Sequence, residues 1–155
     1  MRGDEHPLTI SLSTDELAGP AQELPRLLKE RGQELILHGA FVDGERSDWA
    51  FASEAAARDV AEGRAGQAIV CCWTGTGASI AANKVRGVRA ALCLDAQSAA
   101  GARRWNDANV LAISLRATSD ALLREILQAW FETDRSDDED DLENIAHLTE
   151  MERRA

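Results

Sequence analysis

The stretch QAIVCCWTGTGASIAANK, residues 67–84, decides how this chain is read. Its first six residues, Gln67–Cys72, have the length and apolar content of a buried strand. Residues 73–77 read as a tight loop carrying two glycines, and 78–84 as the first turns of a helix of small residues. A strand that turns through glycines into a helix sets the Cys72 thiol beside backbone N–H groups with no intrahelical acceptor. Those amides, with the positive end of the peptide dipoles, can hold charge developing on a substrate oxygen without a metal. Gly75 and Gly77 let the backbone come close to a ligand. On residue type alone Cys72 keeps a second reading, a buried strand cysteine, which is the commonest state of a free thiol.

Outward from this junction, short apolar runs alternate with longer amphipathic ones, the pattern of strand–helix units around a parallel sheet. Strands are expected at 8–12, 34–37, 67–72, 88–94 and 109–113. Helices are expected at 20–31, where Leu24, Leu27 and Leu28 share a face and Gly32 ends the helix, at 48–62, and at about 96–104. Ser119 or Asp120 could cap a further helix running to about 131. The expectation is an α/β chain: a three-layer α/β/α Rossmann-like fold with a five-stranded parallel sheet and its sites at the carboxyl ends of the strands. Residues 1–131 form that domain. Residues 132–155 are an acidic segment followed by an amphipathic helix, 142–153, expected to pack on a partner subunit. The run Asp137, Asp138, Glu139, Asp140, Asp141 lacks the glycine and ligand spacing of a calcium loop and reads as a solvated linker or helix start.

Composition narrows the class. A chain of 155 residues, 45% hydrophobic and 28% charged, suits one globular domain burying roughly two-thirds of its unfolded surface. No apolar run reaches the roughly 20 residues needed to cross a bilayer, and MRGDEHPLTI has no signal-peptide apolar region, so a cytoplasmic location is expected. Cys71, Cys72 and Cys93 are an odd count in apolar surroundings, and neighbouring cysteines do not form an ordinary disulfide, so all three are expected reduced. A net charge of −10 repels nucleic acid and acidic membrane surfaces, and neither is expected as a partner.

Two segments carry a resemblance. TGTGASIAANKVRGVRAAL (74–92) and WNDANVLAISLR (105–116) closely resemble the ribose-5-phosphate isomerase B and galactose-6-phosphate isomerase subunit family, through SIAANK, the arginine–alanine pair before the fourth strand, and NDANVLA. Weaker similarity runs from 8 to about 131. The resemblance implies a Rossmann-like fold, a homodimer or tetramer with active sites between subunits, and aldose–ketose isomerisation of a small sugar or sugar phosphate with neither metal nor cofactor. It implies that Cys72 is the base moving a proton between neighbouring sugar carbons through an enediolate. By the same carry-over, Thr74, Gly75 and Gly77 form an anion-stabilising loop, Asn106 binds substrate, Asp15 is the acidic member of an Asp-His pair, and Arg116 is a phosphate-binding arginine.

The departures from that family gather at the same positions. Glu16 stands where the histidine of the pair belongs, and Trp105 where a histidine assigned to ring opening precedes the asparagine. Trp73 replaces the glycine after the cysteine, and Trp49 replaces a tyrosine. Ungapped extension puts Glu139 and Glu143 where two phosphate-binding arginines often stand, which argues against ordinary ribose 5-phosphate chemistry. His6, His38 and His147 are the only histidines and none occupies a matching position; His38 reads as a strand-end residue. Glu16 or Asp15 could serve as the proton carrier if buried, and Trp49, Trp73 and Trp105 could stack on a sugar face or an apolar aglycone. The first expectation is therefore an isomerase of altered specificity. The second is a non-catalytic sugar- or metabolite-binding protein, possibly one subunit of a hetero-oligomer. A thiol-dependent reaction on a larger, flatter substrate is a third.

Overall fold

Ile10 and Leu12 alternate with Ser11 and Ser13 along the first strand, and all four are buried, as on an interior strand of a sheet covered on both faces. The computed structural model describes residues 8–155. Its strands are β1 (Thr9–Thr14), β2 (Glu34–Gly39), β3 (Gln67–Cys72), β4 (Ala90–Leu92) and β5 (Val110–Ser114). All pair in parallel, in the order β2-β1-β3-β5-β4. Parallel strands need crossovers, and helices supply all four: α1 (Leu24–Glu30), α2 (Trp49–Ala61), α3 (Thr76–Asn83) and α4 (Ala96–Asn106); α5 (Asp120–Glu132) follows the last strand.

One face of the sheet sends Ile10, Leu12, Ile69, Cys71, Leu111 and Ile113 into a core closed by α1, α4 and α5. Trp130 is fully buried there, its indole N–H donating to Gln67 Oε1 at 2.9 Å. The other face sends Ala68, Val70, Cys72, Val110 and Ala112 against α2 and α3, whose Ala56, Ala57, Ala78 and Ala82 allow close approach. The three-layer α/β/α architecture with five parallel strands is thus the one expected.

Several boundaries differ for identifiable reasons. The expected helix 20–31 is a 3-10 turn, Gly19–Gln22, followed by α1, because Pro25 cannot donate to a continuing ladder and sits where a new helix starts. The fourth strand is three residues long rather than 88–94. Ahead of it, the Arg89 N–H goes to the Asn109 side chain at 2.7 Å, and after it the chain enters the Asp95 cap of α4. Helix α3 starts at Thr76, so Gly77 lies in its first turn rather than in the loop. Helix α4 runs on to Asn106, which puts Trp105 and Asn106 on its last turn. Ser119 caps α5, accepting from the Leu122 N–H at 3.1 Å. The acidic run is a helix start: Asp138 caps α6 (Glu139–Arg154), and three carboxylates in the first turn complement its dipole. Helix α6 lies against α4, and Glu152 accepts from the Gly87 N–H at 2.9 Å, yet none of its residues is buried. No helix among the described residues is long and apolar enough to cross a membrane.

Candidate active site

From β1 the chain crosses to β2 on one side, while β3 lies on the other, so the carboxyl ends of β1 and β3 flank the point where winding reverses. Crevices at such points take ligands in open α/β sheets. Here the crevice is a pocket of about 280 Å³ lined by Asp15, Trp49, Cys72, Trp73, Thr74, Thr76 and Gly77. Asp15 follows β1, Cys72 ends β3, and the rest come from the loop after β3 and the first residues of α2 and α3.

Cys72 is only 4% exposed and its sulfur accepts the backbone N–H of Ala78 at 3.4 Å. The chain reaches α3 by reversing at Gly75, whose φ of 78° is left-handed. There is no room for a side chain: a Cβ at residue 75 would lie 2.5 Å from Leu92 Cδ1 and 2.9 Å from the Ser114 nitrogen. By helix geometry the first-turn amides of Thr76 and Gly77 have no intrahelical acceptor. Thr74 and Thr76 join their hydroxyls at 2.7 Å beside them. The other thiols are different in kind. Cys71 points into the opposite core, where burial and then the charges of Cys72 and Asp15 push its thiol well up, and burial followed by Asp95 pushes Cys93 up to about 12.

Asp15 is held by its own N–H, which donates to Cys71 C=O at 3.3 Å. Its Oδ1 is buried and has no hydrogen-bond partner among the described residues. Burial and then the neighbouring Glu16 charge raise its carboxyl, and backbone N–H donors oppose that shift. Glu16 itself is exposed and does not line the pocket. Trp49 opens α2 and lays its ring on Gly77, where a Cβ would come within 2.8 Å of the indole. Trp73 stands at the rim, half exposed, with its C=O accepting the Arg116 N–H at 3.0 Å and the Ser114 hydroxyl at 3.2 Å. Arg116 therefore starts beside the pocket; its side chain is exposed and carries no bond among the described residues.

Trp105 and Asn106 are not part of this pocket within one chain. They precede β5, whereas Cys72 pairs with Ser114 at the far end of that strand, roughly 13 Å of extended backbone away. Trp105 covers Gly101 of its own helix, and Asn106 lines a depression of about 530 Å³ with Asn83, Arg89, Leu148 and Met151. Glu139 and Glu143 are exposed at the start of α6 and His147 is exposed further along it; His6 lies outside the described residues.

Two arrangements escaped the sequence. His38 is the strand-end residue expected, next to last in β2, and it is also braced between two carboxylates, Nε2 at 2.7 Å from Asp59 Oδ2 and Nδ1 at 2.7 Å from Glu45 Oε1. The available signal was Asp59 itself, which shares the apolar stripe of α2 with Ala52 and Ala56. Also, two motif asparagines are structural. Asn83 pairs both of its amide groups with the backbone of Ala90, at 2.8 and 3.0 Å, and Asn109 spans the N–H of Arg89 and the C=O of Gly87.

Known proteins share this sequence pattern and this architecture. The sequence model described as Ribose/Galactose Isomerase matches residues 11–148. The chain is 32% identical over 145 residues to galactose-6-phosphate isomerase subunit LacB of Clostridium acetobutylicum, covering 93% of this chain and 83% of that protein. It is 41% identical over 108 residues to ribose-5-phosphate isomerase B of Escherichia coli, covering 70% and 72%. The fold superposes on ribose-5-phosphate isomerase B of Clostridium thermocellum with a TM-score of 0.85 at 31% identity, over 95% of this chain and 99% of that one.

Proposed function

The chain belongs to the ribose and galactose isomerase family of sugar-phosphate isomerases, and on that footing we propose that it interconverts an aldose and a ketose with Cys72 as the base. The observation that carries this reading is a single pocket holding the Cys72 sulfur, the unpartnered carboxyl oxygen of Asp15 and the first-turn amides of α3.

The open-chain aldose enters with its carbonyl oxygen toward the Thr76 and Gly77 amides. The Cys72 thiolate takes the proton from C2, and the C–H electron pair moves through the carbon chain onto the carbonyl oxygen, giving an enediolate. Each well-aligned amide contributes about 3 kcal/mol at that oxygen. The thiol then returns its proton to C1, while Asp15 relays the hydroxyl proton from O2 to O1, which leaves a ketose and a regenerated thiolate. Atoms and charge balance without any co-reactant.

Specificity is proposed to differ from that of a pentose phosphate isomerase that opens rings. Among the described residues no imidazole and no cation lines the pocket, its walls are Trp49 and Trp73, and Arg116, whose N–H bonds the Trp73 C=O, is proposed to hold a single anionic group. A substrate already open suits such a site. The full site is proposed to form between two copies: Asn106 cannot reach Cys72 within one chain, and the exposed Leu148 and Met151 of α6 offer a face for the second copy.

The test is proton exchange. Four- to six-carbon aldoses, free and phosphorylated, are incubated with the protein in heavy water, and loss of the C2–H signal is followed by NMR. Exchange with ketose formation supports the isomerase. That no imidazole among the described residues lines the pocket favours the second reading, a binding protein, and that reading predicts a raised melting temperature with a sugar but no exchange.

A further inference from the structure

We infer that His38 is a positioning residue: clamped between Asp59 and Glu45, its imidazolium fixes the β2–α2 loop and, through that loop, the Trp49 wall of the Cys72 pocket. A neutral imidazole has one N–H, yet both ring nitrogens of His38 stand 2.7 Å from carboxylate oxygens. With both carboxyl groups ionised two donors are needed, and the imidazolium supplies them.

The two carboxylates are held unequally. Asp59, on α2, is almost wholly buried and also accepts the Ser11 hydroxyl at 2.8 Å and Arg64 Nε at 2.7 Å. Glu45, in the loop, has no side-chain partner other than His38 among the described residues. The charged groups around His38 are thus Asp59 from α2, with Arg64 behind it, and Glu45 from the loop; β1 contributes the hydroxyls of Ser11 and, in register beside it, Ser13. When the ring loses a proton, the remaining one stays toward buried Asp59 and a lone pair turns to Glu45. Burial works against the charged ring, but the bonds to Asp59 and Glu45 outweigh it and hold its pKa above the ordinary 6.5. Release of Glu45 therefore comes as pH rises beyond that value.

Glu45 lies four residues before Trp49. Phe41 packs against the core at the start of the loop, and the loop's other polar side-chain ties are local, Arg46 to Asp48 at 2.7 Å and the Arg46 guanidinium 3.6 Å over the Phe51 ring. The bond to His38 is, among the described residues, the loop's side-chain hydrogen bond to the sheet. Freed of it, the loop no longer holds the indole on Gly77, and the first turn of α3 is uncovered.

The kinetic arm of the test rests on the isomerase reading; a labelling arm does not. KM is measured from pH 6 to 9 for the native chain and Glu45→Ala, a change at a partly exposed loop position that spares the buried Asp59 pair. At pH 6 the variant is expected to show a KM about fivefold higher with kcat within about twofold. The two curves should converge at alkaline pH, and their ratio cancels ionisation of substrate and of Cys72. Independently, iodoacetamide labelling of Cys72, located by peptide mass, should be faster in Glu45→Ala than in the native chain at pH 6 and equal at alkaline pH. Glu45→Gln, whose amide oxygen still accepts from the cation, should restore the native behaviour at pH 6. A ratio of one at every pH in the labelling arm overturns the inference. If no sugar turns over, the isomerase reading fails while labelling still decides on the clamp.

Discussion

The backbone N–H of Ala78, in the first turn of α3, donates to the sulfur of Cys72 across 3.4 Å. Six residues separate the two, and the chain can bring them together only by reversing at a left-handed Gly75. The orientation of the sulfur is thus a property of the loop, and the same reversal aims the neighbouring amides into the same pocket.

The two glycines of the loop should fail differently. Gly75→Ala needs a positive φ and drives a Cβ into Leu92 and the backbone of Ser114 and Ile113, so a loss of about 2–4 kcal/mol is expected in urea unfolding. In Gly77→Ala the three atoms nearest the new Cβ all belong to the ring of Trp49, which is half exposed and can swing aside. Its stability should stay within about 1 kcal/mol of the native chain, with the cost appearing as a raised KM.

The sheet was legible because strands such as Gln67–Cys72 are uninterrupted apolar runs, and the helices because their leucines and alanines repeat at helical spacing. The turn after β3 was legible through its glycines, although α3 starts earlier than expected, at Thr76, and the turn does meet Asp15 at one pocket. Contacts between residues far apart in sequence were not legible. The Ser11–Asp59–His38–Glu45 chain joins residues up to 48 apart, and no local pattern specifies such partners. The separation of Asn106 from Cys72 is equally invisible until the register of β5 with β3 is known.

Asp15 should trade stability for function. A carboxyl whose folded pKa is raised costs the fold nothing at low pH and an increasing amount as pH rises from its unfolded value of 3.8 through the folded one. The penalty is complete once the pH has passed the folded value. Asp15→Asn removes the charge beside Glu16 and is expected to raise the melting temperature by about 2 °C at pH 7, with the gain vanishing near pH 3, while isomerisation slows. A lower melting temperature at pH 7 would show that the carboxylate is not a burden to the fold.

The motif asparagines should behave as structural residues. Asn83→Ala strips the short edge strand β4 of two side-chain bonds and is expected to cost about 1–2 kcal/mol in urea unfolding. Because Asn83 does not line the Cys72 pocket, the rate at which iodoacetamide labels Cys72 in the folded fraction should be unchanged.

The central claim is that the Cys72 sulfur carries the proton between sugar carbons, and the rate of C2–H exchange in heavy water, compared between the native chain and Cys72→Ala, tests it most directly. The account predicts a fall of about a thousandfold with the melting temperature and sugar binding retained. Exchange at the native rate in a folded Cys72→Ala protein would contradict it.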